Sequence, residues 1–200
     1  SYAYIMLPAM GAAALYPSAA REERGTVRIQ RHGNAVTVSN EIFDVTFDSR
    51  GQITSLLTDG LEWVAADKAM NRFRLYQDVN PVYDAWELAR DYQENEIALA
   101  DEGSLRVAYS GDCACVLEST RTLESSTLTQ RITVRAHTRR IDFDTKIDWQ
   151  VRRRLLKADF ATTLRCEDAL HEIQFGCIRR PAHRSHAFAA DRYEVCNQRY

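Results

Sequence analysis

Two carboxylates and two aromatic rings stand within five residues in the run YDAWE, at Tyr83, Asp84, Trp86 and Glu87. Two chemistries suit such a set. A carboxylate pair held roughly 5–10 Å apart can act on a glycosidic bond, one group as acid and the other as base or nucleophile. Alternatively, ionised carboxylates accept paired hydrogen bonds from vicinal sugar hydroxyls, while Trp86 or Tyr83 offers an apolar face to the C–H side of a ring. A third reading needs no chemistry: Trp86 fills a core and Asp84 caps a turn. The spacing leaves all three open.

Other candidate groups are sparse. The histidines are His32, His137, His171, His183 and His186. His183 and His186 are three apart in RPAHRSHAF, a spacing that suits a metal on a helix. Pro181 interrupts that stretch, it reads as loop and strand, and no carboxylate stands at useful spacing, so a metal site is disfavoured. RPAHR places Arg180, His183 and Arg184 around a proline-stiffened bend. This is either a loop held by salt bridges or a contact with a substrate or a neighbouring domain. His171 or His183 as acid with Glu87 or Glu172 as base would suit sugar-ring mutarotation, but nothing in the sequence makes them converge. Arg152, Arg153 and Arg154 read as a solvated strand end. GxSxG, HExxH, P-loop and GxGxxG patterns do not occur.

Bulk composition narrows the classes. Lys and Arg number 26 against 28 Asp and Glu, a formal net charge of -2, which offers no electrostatic case for nucleic acid or an anionic membrane surface. No run approaches the ~18 apolar residues of a membrane span. The opening SYAYIMLPAMGAAALYP lacks a basic flank and carries Pro8, so it does not read as a leader peptide. Cys113, Cys115, Cys166, Cys177 and Cys196 are odd in number and lack a CxxC pair, which favours free thiols in a reducing, cytoplasmic compartment. The chain opens without Met, is apolar from Tyr2, and closes on RYEVCNQRY, which reads as a strand. The expectation is a piece of a longer polypeptide.

The elements that must position these groups are strands. Val36, Val38, Ile42, Val45 and Phe47 alternate with polar residues, break at Ser49-Arg50-Gly51, resume at Ile53 and Leu56, and turn again at Asp59-Gly60. LRVAYSGDCACVLEST predicts two strands around Gly111-Asp112. Leu128, Ile132 and Val134 lead through Thr138-Arg139 to Ile141, Phe143, Thr145, Ile147 and Trp149, with Asp142, Asp144, Lys146 and Asp148 between them. That pattern is one dry face and one wet face. LLKADFATTL and ALHEIQFGCI continue it. The single helix candidate, Trp86–Glu94, has weak periodicity. The fold class is all-β, a large antiparallel β-sandwich with little helix.

Five stretches, in order, resemble the C-terminal β-domain of glycoside hydrolase family 38, the α-mannosidases. They are LPAMGAAAL, VSNEIFDVTFDSRGQITSLLT, NRFRLYQDVNPVYDAWE, IDWQVRRRLLKADF and HEIQFGCIRRPAHRSHAFAADRYEV. The third, similar to a family segment ending WDAWD, is the most distinctive. Tyr83 replaces its first aromatic and Glu87 its last aspartate. Val151 stands where the family carries a glutamate, and Ser185, His186, Ala187, Phe188 and Ala189 replace a more polar NTSWD run.

The resemblance implies a galactose-mutarotase-like supersandwich spanning residues 1–200 as one domain. Residues 1–31 would be its leading edge or the tail of a small preceding β-domain. It implies a parent enzyme that is a retaining exo-α-mannosidase, with nucleophile and zinc in an N-terminal catalytic domain. No catalytic residue and no cofactor is expected in this stretch. Tyr83, Asp84, Trp86, Glu87, Arg180, His183 and Arg184 become candidates for substrate binding or for a domain interface. The partners implied are the catalytic domain and mannose-containing oligosaccharides, with self-association through faces left uncovered. An independent carbohydrate-binding module is the alternative.

Overall fold

The structure is a computed structural model that describes residues 10, 25–80, 82, 83, 86–99, 103–195 and 197. In chain order the strands are β1 (Arg28–His32), β2 (Ala35–Ser39), β3 (Phe43–Phe47), β4 (Ile53–Thr58), β5 (Leu61–Glu62), β6 (Met70–Gln77), β7 (Glu96–Ile97), β8 (Gly103–Gly111), β9 (Ala114–Leu123), β10 (Ser126–Arg135), β11 (Ile141–Asp148), β12 (Arg154–Phe160), β13 (Asp168–Ile173) and β14 (Gly176–Pro181). A 3-10 turn, Tyr92–Glu94, follows β6, and one helical turn, α1 (Ala187–Ala190), follows β14. Every strand pairing is antiparallel. The all-β sandwich expected from the period-two pattern is what the structure shows.

One sheet runs β1-β2-β3-β4-β6-β12, with β5 added to β4 and β7 to β6; the other runs β11-β10-β9-β8. Alternation decides which residues meet between them. Val36, Val38, Phe43, Val45, Phe47, Ile53 and Met70 from the first sheet pack on Cys115, Leu117, Ile132 and Val134 from the second. Burial pushes the Cys115 thiol up to about 12. A satellite cluster of Phe73, Leu123 and Leu128 extends the core toward the far end of β6.

Turns follow from local chemistry. Asp59 and Gly60 both take positive φ, at 53° and 78°, which a tight two-residue hairpin between β4 and β5 requires. Asp48 Oδ1 accepts from the amides of Arg50 and Gln52, and Gly51 (φ 78°) fits because a Cβ there would stand 2.9 Å from Ser119 Cβ. Asn40 staples the sheets together. Its Oδ1 accepts from the Ile42 and Phe43 amides, and its Nδ2 donates to the carbonyls of Arg135 and Thr138.

A polar seam crosses the interior. Asn71 takes a left-handed φ of 56° just where the β6–β12 register shifts. Its Nδ2 donates to Gly51 O at 2.9 Å and to Gln130 Oε1 at 2.6 Å, and Gln130 Nε2 reaches Thr145 Oγ1 at 2.9 Å. Asn71 and Gln130 are both buried; they bond each other across the two sheets, and each bonds a second partner within its own sheet, Gly51 O and Thr145, so the seam ties the sheets without an orphaned amide.

Four segments depart from the sequence expectation. The dry face of β11 holds for Ile141 and Phe143, but Ile147 and Trp149 are about two-fifths exposed, because β11 is an edge strand. β13 and β14 form a separate two-stranded sheet that leaves Leu170, Ile173 and Phe175 exposed. Residues 191–195 are turn and bend rather than strand, and only Tyr92–Glu94 of the Trp86–Glu94 candidate is helical, as a 3-10 turn.

Candidate functional site

β6 leaves the sheet at Gln77 and the chain returns at Tyr92, and the run between carries most of the candidate residues. The exit is anchored by backbone: Gln77 N donates to Asn95 O at 2.9 Å and Asp78 N to Arg153 O at 3.0 Å. Asn80 then organises the loop. Its Oδ1 accepts from the amides of Val82 (3.1 Å) and Tyr83 (3.4 Å), and its Nδ2 donates to Glu87 O at 3.2 Å. Trp86 N and Glu87 N both donate to Tyr83 O, closing the turn. With the polar groups turned inward, the rings are left outside: Trp86 is 88% exposed and Tyr83 57%. Trp86 is therefore no core residue. Asp84 lies outside the described residues, as does Cys196.

The segment after α1 closes over the returning limb of this loop. Tyr193 Oη donates to Leu88 O, Arg90 Nη2 pairs with Asp191 at 3.1 Å, and Tyr92 Oη donates to Glu194 Oε1. Lys157 on β12 binds the same carboxylate oxygen at 2.6 Å and lies over the Tyr92 ring at 5.0 Å. Tyr92 is buried edge-on against Tyr76, ring centroids 5.0 Å apart. Burial alone would raise the Glu194 carboxyl, but the bonds from Lys157 and Tyr92 outweigh it and hold the group below the ordinary glutamate range. Burial opposes charge on Lys157 too, and the same bonds leave it raised. Between loop and segment lies a cavity of about 530 Å³, lined by Asn80, Val82, Glu87, Leu88, Ala89, Arg90 and Tyr193.

Of the candidates, Glu87 lines this cavity, and Tyr83 and Trp86 stand exposed on the same loop without lining it. Arg184 stands one step behind, its Nη2 reaching Tyr193 O at 3.5 Å. Arg180 sits on β14 opposite Ala169, and His183 bonds Ser185 Oγ through Nδ1 at 2.8 Å; neither joins the cavity. His186 Nδ1 accepts the Ala189 amide and so caps α1. That commits one nitrogen of the His183/His186 pair. Among the described residues, no group of three or more His, Cys, Asp or Glu side chains could hold a metal.

A sequence model of the Glycosyl hydrolases family 38 C-terminal domain matches residues 38–200. The chain belongs to that family. It is 29% identical to Alpha-mannosidase 2C1 of Homo sapiens over 100% of its own length and 20% of that protein. It is 30% identical to the Mus musculus protein of the same name, over 86% of the chain and 17% of the relative. Alpha-mannosidase G of Dictyostelium discoideum is 28% identical over 82% of the chain and 16% of the relative. The chain thus spans about a fifth of the length of these curated relatives.

For a family 38 C-terminal domain, the arrangement is a β-sandwich presenting an aromatic-tipped loop beside a cavity of mixed polar and apolar lining. Sequence reasoning missed Asn80, Arg90, Tyr92, Lys157, Tyr193 and Glu194. RYEV lay within the last resembling stretch, but its alternation read as a strand. The detectable signal was Asn80-Pro81, an Asn before Pro at the exit of a strand, which marks a side-chain-closed turn.

Proposed function

We propose that this chain is the non-catalytic C-terminal domain of a retaining, zinc-dependent exo-α-mannosidase that hydrolyses terminal α-mannosides. It packs on the catalytic domain and turns the Tyr83–Glu87 loop toward that domain's pocket. The observation that carries this reading is the Asn80-closed loop, which holds Trp86 and Tyr83 out from a rigid family 38 sandwich. An exposed tryptophan fixed by backbone bonds suits a pocket wall or domain contact, since burying it elsewhere returns its apolar area. Among the described residues no donor set fits zinc, and the metal is assigned to the catalytic domain.

Residues 1–200 would act as one domain. The exposed Leu164, Leu170, Phe175 and Phe188 supply apolar surface for the catalytic domain, and for self-association when that domain is missing. The four described cysteines are free thiols, which favours a reducing, cytoplasmic setting. No helix among the described residues is long and apolar enough to cross a membrane. Assay decides the main reading. The isolated chain should leave aryl α-mannosides intact, whereas the complete polypeptide should cleave them and lose activity on chelation. Enzyme-like turnover by the isolated chain would sink it.

A second reading, an independent carbohydrate-binding module, draws on the same exposure of Trp86. Calorimetric titration with mannose and mannobiose tests it. Heat that disappears in Trp86→Ala supports a module, and no heat at millimolar sugar removes it.

A further inference from the structure

The loop that carries Tyr83, Trp86 and Glu87 is tied down by a segment about a hundred residues away in sequence. We propose that Tyr193 and Glu194 are positioning residues: together they clamp the Asn80–Tyr92 loop onto the first sheet and so set where the exposed rings and Glu87 stand. Neighbouring side chains in this bent segment divide the work. Glu194 faces the sheet, where Lys157 of β12 and Tyr92 converge on one oxygen. Tyr193 faces the loop, donating to Leu88 O while its ring lines the cavity. Arg90–Asp191 and Arg184–Tyr193 O fasten the segment on either side.

The loop needs this help. Among its described residues between Gln77 and Tyr92 it contains no strand or helix, and its internal bonds come from Asn80, the Tyr83 carbonyl and the Ala89 carbonyl, which accepts from Tyr92 N. Those bonds define the turn's shape but do not orient it against the sandwich. Its exit is held by backbone bonds at Gln77 and Asp78, so its returning limb, Leu88–Tyr92, decides the tilt. That limb meets the clamp at three successive alternate residues, Leu88, Arg90 and Tyr92. The clamp's anchor is firm: Lys157 pairs in register with Arg74 of β6, and Tyr92 packs on Tyr76. None of the clamp residues except Tyr92 belongs to the buried interior, so loosening it should tilt the loop without melting the sandwich.

The kinetic part of this inference rests on the mannosidase reading; the structural part does not. The test uses the complete polypeptide carrying this chain, as wild type, Tyr193→Phe, Glu194→Gln and Lys157→Arg. Peptide-resolved hydrogen exchange should show residues 79–91 exchanging roughly two- to tenfold faster in Tyr193→Phe and Glu194→Gln, the range one lost hydrogen bond supports. Residues 114–123 should exchange as in wild type, and Lys157→Arg should stay near wild type in both segments. On an aryl α-mannoside, KM should rise by a similar factor with kcat little changed. Unchanged exchange over 79–91 in both disruptive variants overturns the clamp. Faster exchange with unchanged KM overturns its positioning role. A wild type that exchanges as described but leaves α-mannosides intact sinks the mannosidase reading and leaves the clamp standing.

Discussion

The sandwich interior and the loop rim are held by different physics. Between the sheets, alternating Val, Phe, Leu and Ile meet at full burial, and stability comes from many small contacts none of which is directional. At the rim, the Asn80–Tyr92 loop owes its place to a few named hydrogen bonds, two of them with charged partners. The difference teaches where function can be tuned. A rim built from few bonds can be moved by one substitution, whereas the interior answers to any substitution with global loss. β13–β14 is intermediate: it has full backbone pairing, so its hydrogen bonds fix its shape, while Leu170, Ile173 and Phe175 stay exposed.

The largest effect should come from Leu117→Ala. Leu117 is fully buried on β9 and packs with residues of both sheets, and truncation there costs about 3–5 kcal/mol. Chemical denaturation should show this as one cooperative shift, with Cys115 becoming labile to thiol reagents only as the whole core opens. A rim-only response would break the comparison at its root. Asn71→Ala comes next. It strands Gln130 and asks a residue with a Cβ but no side-chain hydrogen bond to hold φ at 56°, and a loss of about 2–3 kcal/mol is expected. Asn71→Gly relieves the backbone part, so the difference between the two variants measures strain separately from the lost bonds.

The two regions were unequally legible. Val36 to Phe47, and Leu128 to Val134, declare their strands because period-two burial is written residue by residue. The Gly51 and Asp59-Gly60 turns are legible for a related reason, since the required φ restricts residue type. The rim is different. Tyr193 and Val195 alternate with Glu194 as a strand would, yet their segment is held by side chains reaching Leu88 and Lys157, contacts whose sequence separation leaves no local trace. His183 and His186 suggested a metal by spacing, while three-dimensional context gave His186 to a helix cap. Trp86 could be read as core or platform, and only the turn closed by Asn80 decides that it faces outward.

A pH scan sharpens the comparison with a smaller effect. Glu194 is the loop's titrating anchor, and the groups facing it are Lys157, Tyr92 and, at longer range, Arg184. Its folded value lies below the ordinary 4.5, so its contribution is present above that value and is lost as pH falls through the depressed one. Lys157 is raised above 10.5, so its contribution is complete below that and lost as pH rises through the raised value. Between these limits the clamp should be insensitive to pH. On acidification below about 4.5, protection over 79–91, taken relative to the intrinsic exchange rate at each pH, should fall before protection over 114–123 does. Glu194→Gln should remove this early acid limb from the loop alone. Simultaneous loss of protection in both segments would mean that the rim has no independent stability.

Trp86→Ala should have the smallest effect on stability and a disproportionate one on function. At 88% exposure the indole has little burial to lose, and such surface substitutions stay within about 0.5 kcal/mol. The melting temperature and the exchange pattern of 79–91 should therefore match wild type, because Asn80 and the Tyr83 carbonyl close the turn through backbone groups that alanine retains. In the complete polypeptide the same substitution removes a ring that, on the proposed reading, meets substrate or the catalytic domain. KM or the affinity between domains should then weaken by about tenfold, the scale of one aromatic contact at a desolvated interface. Trp86→Phe should recover much of it. A variant that melts early would show the indole supporting the loop after all, and one that matches wild type in every respect would leave Tyr83 and Glu87 to carry the site.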